Sequence, residues 1–187
     1  MLAALVAATS LGGCWLFEDP ARRSVRHPEA ARASRGSLFE HRWVWTDEQG
    51  RSVRFDRWRG QPLVVTAIFT SCRATCPRTI QKLRGVYARL SREGRPPPDF
   101  VLVTLDPRND TPARLRRFKQ TEGFPDSWHL LSGSEPQTRA LADLLGIHVM
   151  DADEHIMHDG KIVVFDAHGM PTRSYGGWGL DDEAPVL

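Results

Sequence analysis

The chain has 187 residues, 41% of them hydrophobic, and a formal net charge of +2. That length fits one core domain with a short leader or tail, and that hydrophobic fraction excludes a multi-span membrane protein. So small a charge, with no basic face interleaved with aromatics, also excludes a nucleic-acid binder; the arginines crowd into residues 22–35 and 108–117 as solvated surface.

The first eight residues, Met1 to Ala8, form an apolar run too short to span a bilayer, and Leu11-Gly12-Gly13-Cys14 follows it. Residues 1–14 resemble a bacterial lipoprotein signal, in which Cys14 is lipidated and becomes the new N-terminus. The missing positive segment ahead of the apolar run points to a start further upstream. The competing reading is a trimmed signal anchor with an incidental cysteine. Cysteine arithmetic favours lipidation, because three cysteines are an awkward number in an exported protein. Assigning Cys14 to lipid leaves Cys72 and Cys76 as a pair, and more than one acyl chain on Cys14 anchors a domain stably. The expected location is the cell envelope, membrane-anchored and facing the periplasm.

Residues 15–37 carry Arg22, Arg23, Arg26, Arg32 and Arg35 among Ala, Pro and Ser, without a helix or strand period. They read as a flexible tether able to lie against anionic head groups, and the folded domain is expected over 38–187. Within it, His41 to Phe55 reads as a hairpin turning at Asp47-Glu48-Gln49-Gly50. Leu63 to Phe69 is a continuous apolar run, hence a central strand covered on both faces. Thr79 to Arg92 places Ile80, Leu83, Val86, Tyr87 and Leu90 at helical spacing. Phe100 to Leu105 is a second buried strand. Thr111-Pro112 opens a helix as N-cap and first residue. Leu130-Leu131 is a short strand, Glu135 to Leu145 a third helix stopped by Gly146, and Ile162 to Phe165 a strand. A turn at Asp166 to Gly169 leads to a final short strand near Thr172 to Tyr175. This order predicts an α/β chain with a thioredoxin-like fold: a central mixed β-sheet flanked by helices, preceded by an N-terminal β-hairpin.

The chemistry concentrates at Phe69-Thr70-Ser71-Cys72-Arg73-Ala74-Thr75-Cys76-Pro77, directly after the first central strand. With Cys76 opening a helix, both side chains converge at its N-terminus, where the dipole and unpaired N–H groups favour thiolate. Arg73 and Arg78 push the same way. Such a site suits a soft cation or a reversible disulfide, and the spacing alone leaves both open beside a structural disulfide.

These residues, with Val103-Thr104-Leu105-Asp106-Pro107-Arg108-Asn109-Asp110-Thr111-Pro112, resemble the SCO/SenC family of copper-binding assembly proteins. Asp47 to Gly50 and Phe124 to Ser134 agree, and the likeness covers about residues 38–176. The resemblance implies a copper ion, Cu(I) or Cu(II), held by Cys72, Cys76 and a histidine ahead of the penultimate strand. Counting back from Gly169 gives His158, with His155 as second choice; His27, His41, His129, His148 and His168 are left as surface residues. Two thiolates and an imidazole suit Cu(I), an added ligand accommodates Cu(II), and zinc also fits Cys₂His plus water. Met150 and Met157 read as core or loop packing residues. Asp106 is expected to cap its turn and orient the site without being a ligand. The family's Pro-Asp after the first cysteine is replaced by Arg73-Ala74, which adds positive charge beside the thiols. The implied role is delivery of copper to the dinuclear centre in the copper-site subunit of cytochrome c oxidase, or to another periplasmic copper protein, with no ordinary catalytic turnover.

The rival on the same fold is a thiol–disulfide oxidoreductase acting on cysteines of copper-site clients. Such enzymes use C-x-x-C and a proline loop facing it, whereas this spacer is one residue longer and residues 151–161 hold histidines and no proline. A peroxiredoxin motif lacks its proline here, and a passive periplasmic copper sensor or buffer is a third class.

Overall fold

The structure, a computed structural model, describes residues 36–152 and 155–176; Cys14, the signal, nearly all of the tether and the acidic C-terminal residues lie outside them. Among the described residues nine strands run in chain order as β1 (Trp45–Asp47), β2 (Ser52–Val53), β3 (Leu63–Ile68), β4 (Asp99–Thr104), β5 (Trp128–Ser132), β6 (Val149–Ala152), β7 (His155–His158), β8 (Ile162–Phe165) and β9 (Pro171–Tyr175). The helices are α1 (Thr75–Arg92), α2 (Pro112–Glu122) and α3 (Glu135–Leu145), with short 3-10 turns at Leu38–Glu40 and Phe55–Trp58.

Seven strands make one mixed sheet in the order β2-β1-β5-β4-β3-β8-β9. β3, β4 and β5 are mutually parallel; β1 and β8 join antiparallel on either side. The continuous apolar runs of β3 and β4 resolve into two faces by strand alternation. Leu63, Val65, Ala67, Val101 and Val103 pack with Leu141 and Leu145 of α3 and with Trp45, Phe55 and Trp58. Val64, Ile68, Phe100 and Leu102 pack on the other face with Ile80, Leu83, Val86 and Leu90 of α1 and Leu115 of α2. Burying each such side chain contributes roughly 1.5–3 kcal/mol. Two consecutive crossovers in one direction put α1 and α2 on one face; α3 lies on the other.

The hairpin turn is held by Asp47, whose carboxylate accepts the N–H groups of Gln49 and Arg51 and pairs with the Arg51 guanidinium. Glu48, 1% exposed, ties that turn to the body of the fold. Its carboxylate accepts from Lys119 Nζ at 2.8 Å, from the Leu130 N–H at 3.1 Å and from the Gln49 amide. Among the described residues, no helix is long and apolar enough to cross a membrane.

Two findings depart from the sequence reading. α1 starts at Thr75, four residues earlier than its apolar spacing indicates, because its first turn carries the site and not a core stripe. The segment before β8 is a separate two-stranded hairpin, β6–β7, in which Val149 pairs with His158 and Met150 with Met157.

Candidate metal centre

Ile68 and Thr104 are register partners at the ends of parallel β3 and β4, so the loops that follow leave the sheet side by side. Open α/β sheets build their sites at this carboxyl edge of the strands. The loop after β3 carries Cys72, and the first turn of α1 carries Cys76. The N-terminus of α1 has no side-chain cap at Ala74. Cys72 Sγ takes that place, accepting the Cys76 N–H at 3.3 Å. A sulfur at a helix N-terminus is stabilised as the anion by the dipole.

His158 arrives from the far end of β7. Its Nδ1 donates to the Asp159 carbonyl at 2.8 Å, which leaves the Nε2 lone pair facing Cys76 Sγ at 3.4 Å. Phe69 packs its ring in a T-shaped contact against the imidazole, 5.7 Å between centroids. The two sulfurs and the imidazole nitrogen all lie within 4.8 Å of one another, and this is the only such His, Cys, Asp or Glu group with metal-holding geometry among the described residues. Cys76 and His158 are buried, while Cys72 is half-buried and reaches a cavity of about 690 Å³.

The two thiols differ in charge. The Cys72 thiol is pulled down to about 3, first because it accepts a hydrogen bond from the Cys76 thiol and further because it accepts from the backbone N–H groups of Cys76 and Ala74. Cys76 is pushed up, because its proton is held by the charged Cys72 sulfur and because it is buried. The free pair therefore holds one proton at neutral pH, and it sits on Cys76. A small cluster of two sulfurs and one nitrogen, one sulfur already anionic, fits a soft, low-coordinate cation.

Of the residues expected at the site, the structure brings together Cys72, Cys76 and His158. For His155 the backbone lies in β7, and its side chain is outside what the structure describes. Asp106 lines the same cavity and caps its turn, its carboxylate holding the Asn109 amide. The direct tie to the cysteine loop runs through Asp110. That carboxylate, 1% exposed, accepts the Thr70 N–H at 2.9 Å and the hydroxyls of Thr70 and Thr104, with Arg114 at 3.5 Å. Its signal in the sequence was a carboxylate just before the Thr111-Pro112 helix start. Asp159 was also missed; besides fixing the His158 ring, it clamps the hairpin base by accepting from His148 N–H and Nδ1. Met150 and Met157 correct the packing expectation, since both are exposed and Val149 and Ile156 pack on the core instead.

The SCO1/SenC family profile matches residues 31–183. The chain belongs to the SCO1/SenC family. It is similar to the mitochondrial SCO2 homolog of Bos taurus, with 32% identity over 171 residues, covering 88% of this chain and 63% of that protein. The chain thus spans less than two thirds of that relative's length. Among solved structures it is similar to yeast Sco1 with copper bound, with a TM-score of 0.66 and 20% identity, covering 80% of this chain and 84% of the other. It is also similar to BsSco, in which a disulfide switch was identified and which is a member of the Sco family of cytochrome c oxidase assembly proteins. That match has a TM-score of 0.63 and 20% identity, covering 76% and 85% of the two chains. At these identities the structural likeness shows the fold. SCO1/SenC members share the thioredoxin-like sheet that carries the cysteine loop here.

Proposed function

We propose that this SCO1/SenC protein is a copper metallochaperone that binds one Cu(I) through Cys72, Cys76 and His158 and passes it to a copper-site protein of the cell envelope. The observation that carries the reading is the convergence of two sulfurs and an imidazole nitrogen within 4.8 Å, with one sulfur facing an open cavity. Loading starts on the Cys72 thiolate. Cys76 then gives up its proton to solvent as its sulfur binds, and His158 Nε2 completes a three-coordinate site. Release is ligand exchange: each bond from copper to Cys72, Cys76 or His158 breaks as one to an acceptor donor atom forms, with no change of oxidation state. A half-buried Cys72 is the natural first point of exchange.

The acceptor we assign is the dinuclear copper site of cytochrome c oxidase, in line with the family's place in oxidase assembly. Docking is assigned to the basic rim of the cavity, where Arg73 lines the opening and Arg78 stands exposed on α1. Arg108 is exposed but already paired with Glu135 at 2.6 Å, and docking is not assigned to it. Lipidation at Cys14, with residues 15–37 as tether and 38–187 as the working domain, holds the site near a membrane-bound client; the apolar run ending in Leu-Gly-Gly-Cys supports this.

Titration of the reduced full chain with Cu(I) against a competing chelator tests the reading. One-to-one binding that is lost in Cys72→Ser, weakened in His158→Ala and unchanged in His155→Ala is expected. Binding indifferent to both histidines would overturn the ligand set.

One observation favours a second reading. A low-pKa, half-buried Cys72 beside a buried Cys76 thiol is also the arrangement of an attacking and a resolving cysteine. In that reading Cys72 attacks a client disulfide, Cys76 displaces the client thiol, and the client gains two electrons as the pair becomes a disulfide. Accumulation of a mixed disulfide by Cys76→Ser with an oxidised client peptide distinguishes it from pure metal transfer.

A further inference from the structure

The hairpin β6–β7 has a second set of soft donors on its outer side. Met150 and Met157 are Cα partners across the two strands, so their side chains leave from the same face with Cβ atoms about 5 Å apart. That face is the outward one. Val149 and Ile156 pack against the core, His158 turns in toward Cys76, and the two methionines are 49% and 46% exposed. Val44 is the one other large hydrophobic side chain so exposed among the described residues.

Water-facing strand positions are better served by threonine or a charged residue, so two opposed methionines there have no packing reason. As an apolar patch they are far smaller than a protein interface requires. Chemically they offer two neutral, polarisable sulfur donors, which take Cu(I) or Ag(I) and pass over Mg²⁺ and Ca²⁺. Three rotatable bonds in each side chain let the sulfurs close on one ion. Met157 also lines the cavity that Cys72 and His158 line, so one sulfur of the outer pair stands at the entrance to the inner centre.

We propose that Met150 and Met157 form an outer capture site for a monovalent soft cation, from which Cu(I) passes inward to Cys72, Cys76 and His158. The capture stands on the hairpin geometry; the inward step rests on the copper reading above. In that step thioether bonds to copper break as the bond to the Cys72 thiolate forms, and the oxidation state does not change. Thioethers carry no proton, so capture persists in mild acid.

The test uses the full chain with ¹³C-methyl methionine and Cys14, Cys72 and Cys76 all changed to serine, titrated with Ag(I) in mild acid. The Met150 and Met157 methyl resonances are expected to move together and saturate at one equivalent, while Met1 and Met170 stay in place. In the otherwise unaltered chain, Met150→Leu with Met157→Leu is expected to slow Cu(I) uptake severalfold and to leave the final affinity unchanged. No joint shift, equal shifts of all four methionines, or an unchanged uptake rate would each overturn the proposal. Failure of the inner centre to bind copper would remove the metallochaperone reading, whereas the silver titration still reports on the methionine pair.

Discussion

The Nε2 atom of His158 lies 3.4 Å from the Sγ of Cys76, although 82 residues separate them in sequence. The contact joins the end of the β6–β7 hairpin to the first turn of α1, and it converts a pair of thiols into a three-donor site. Replacing His158 with alanine is expected to weaken Cu(I) binding on the order of 100-fold or more, since even outer partners of metal ligands are worth 10–100-fold. A chelator competition series measures this, with the secondary structure checked by circular dichroism. An affinity equal to that of the unaltered chain would show the imidazole is a bystander.

Copper binding should depend on pH in a defined direction. Above about 3 the Cys72 sulfur is already anionic, while Cys76 keeps its proton well past neutrality. Each Cu(I) bound by both sulfurs therefore releases one proton, and higher pH favours binding. The logarithm of the apparent affinity is expected to rise by about one per pH unit across neutrality. A flat profile would mean that Cys76 does not bind as thiolate.

Gly160 sits where the hairpin base meets α1. A Cβ there would stand 2.7 Å from Thr79 Oγ1 and 2.9 Å from Thr75 Cγ2. Gly160→Ala is expected to push the hairpin off the helix, costing about 1–3 kcal/mol of stability. Because His158 is two residues away, copper affinity should fall as well. Urea unfolding and copper competition on the same variant read the two effects, and a variant as stable and as tight as the parent would be falsifying.

Asp110 holds the cysteine loop through three donors from Thr70 and Thr104. Asn at this position keeps the size but has only one accepting oxygen, so at least one buried donor loses its partner. Asp110→Asn is expected to cost about 1–3 kcal/mol and to loosen Cys72. Hydrogen exchange should rise at Thr70 and Cys72 before it rises in β4. If protection in the loop is unchanged, the anchor lies elsewhere.

Glu48 and Lys119 form a largely buried ion pair, 1% and 13% exposed at the side chain. Lys119→Met leaves a buried carboxylate without its cation and is expected to cost about 3–5 kcal/mol. Burial pushes the Glu48 carboxyl up, but the hydrogen bonds from Lys119 and from backbone N–H groups outweigh it, and the net shift is downward. A depressed carboxylate gives stability above its unfolded value, near about 4.3, and that stability is lost as pH falls through the folded value. Glu48→Gln should flatten the acid limb of the stability profile. A limb of unchanged steepness would assign acid sensitivity to another carboxylate.

The elements of the sheet were legible in the chain because each central strand carries an unbroken apolar run and each helix an apolar stripe with its own start and stop. Thr111-Pro112 capped α2, and Gly146 closed α3 in the left-handed conformation that favours glycine. The cysteine pair was legible because it follows a strand that had to be buried on both faces. The β6–β7 hairpin was not, since four-residue strands with mixed burial carry no period long enough to read. The outward turn of Met150 and Met157 follows from that same register.

Local sequence thus determined which residues could supply the chemistry: two thiols at a helix start and a histidine ahead of β8, within the SCO1/SenC pattern. Only the tertiary structure decided how they combine. The charge of Cys72, the proton of Cys76, the tautomer of His158 and the anchoring by Asp110 all depend on groups brought within hydrogen-bond reach from distant parts of the chain. Hydrogen bonds and charge couplings act over a few ångströms, and packing of the two sheet faces, not chain order, sets those distances.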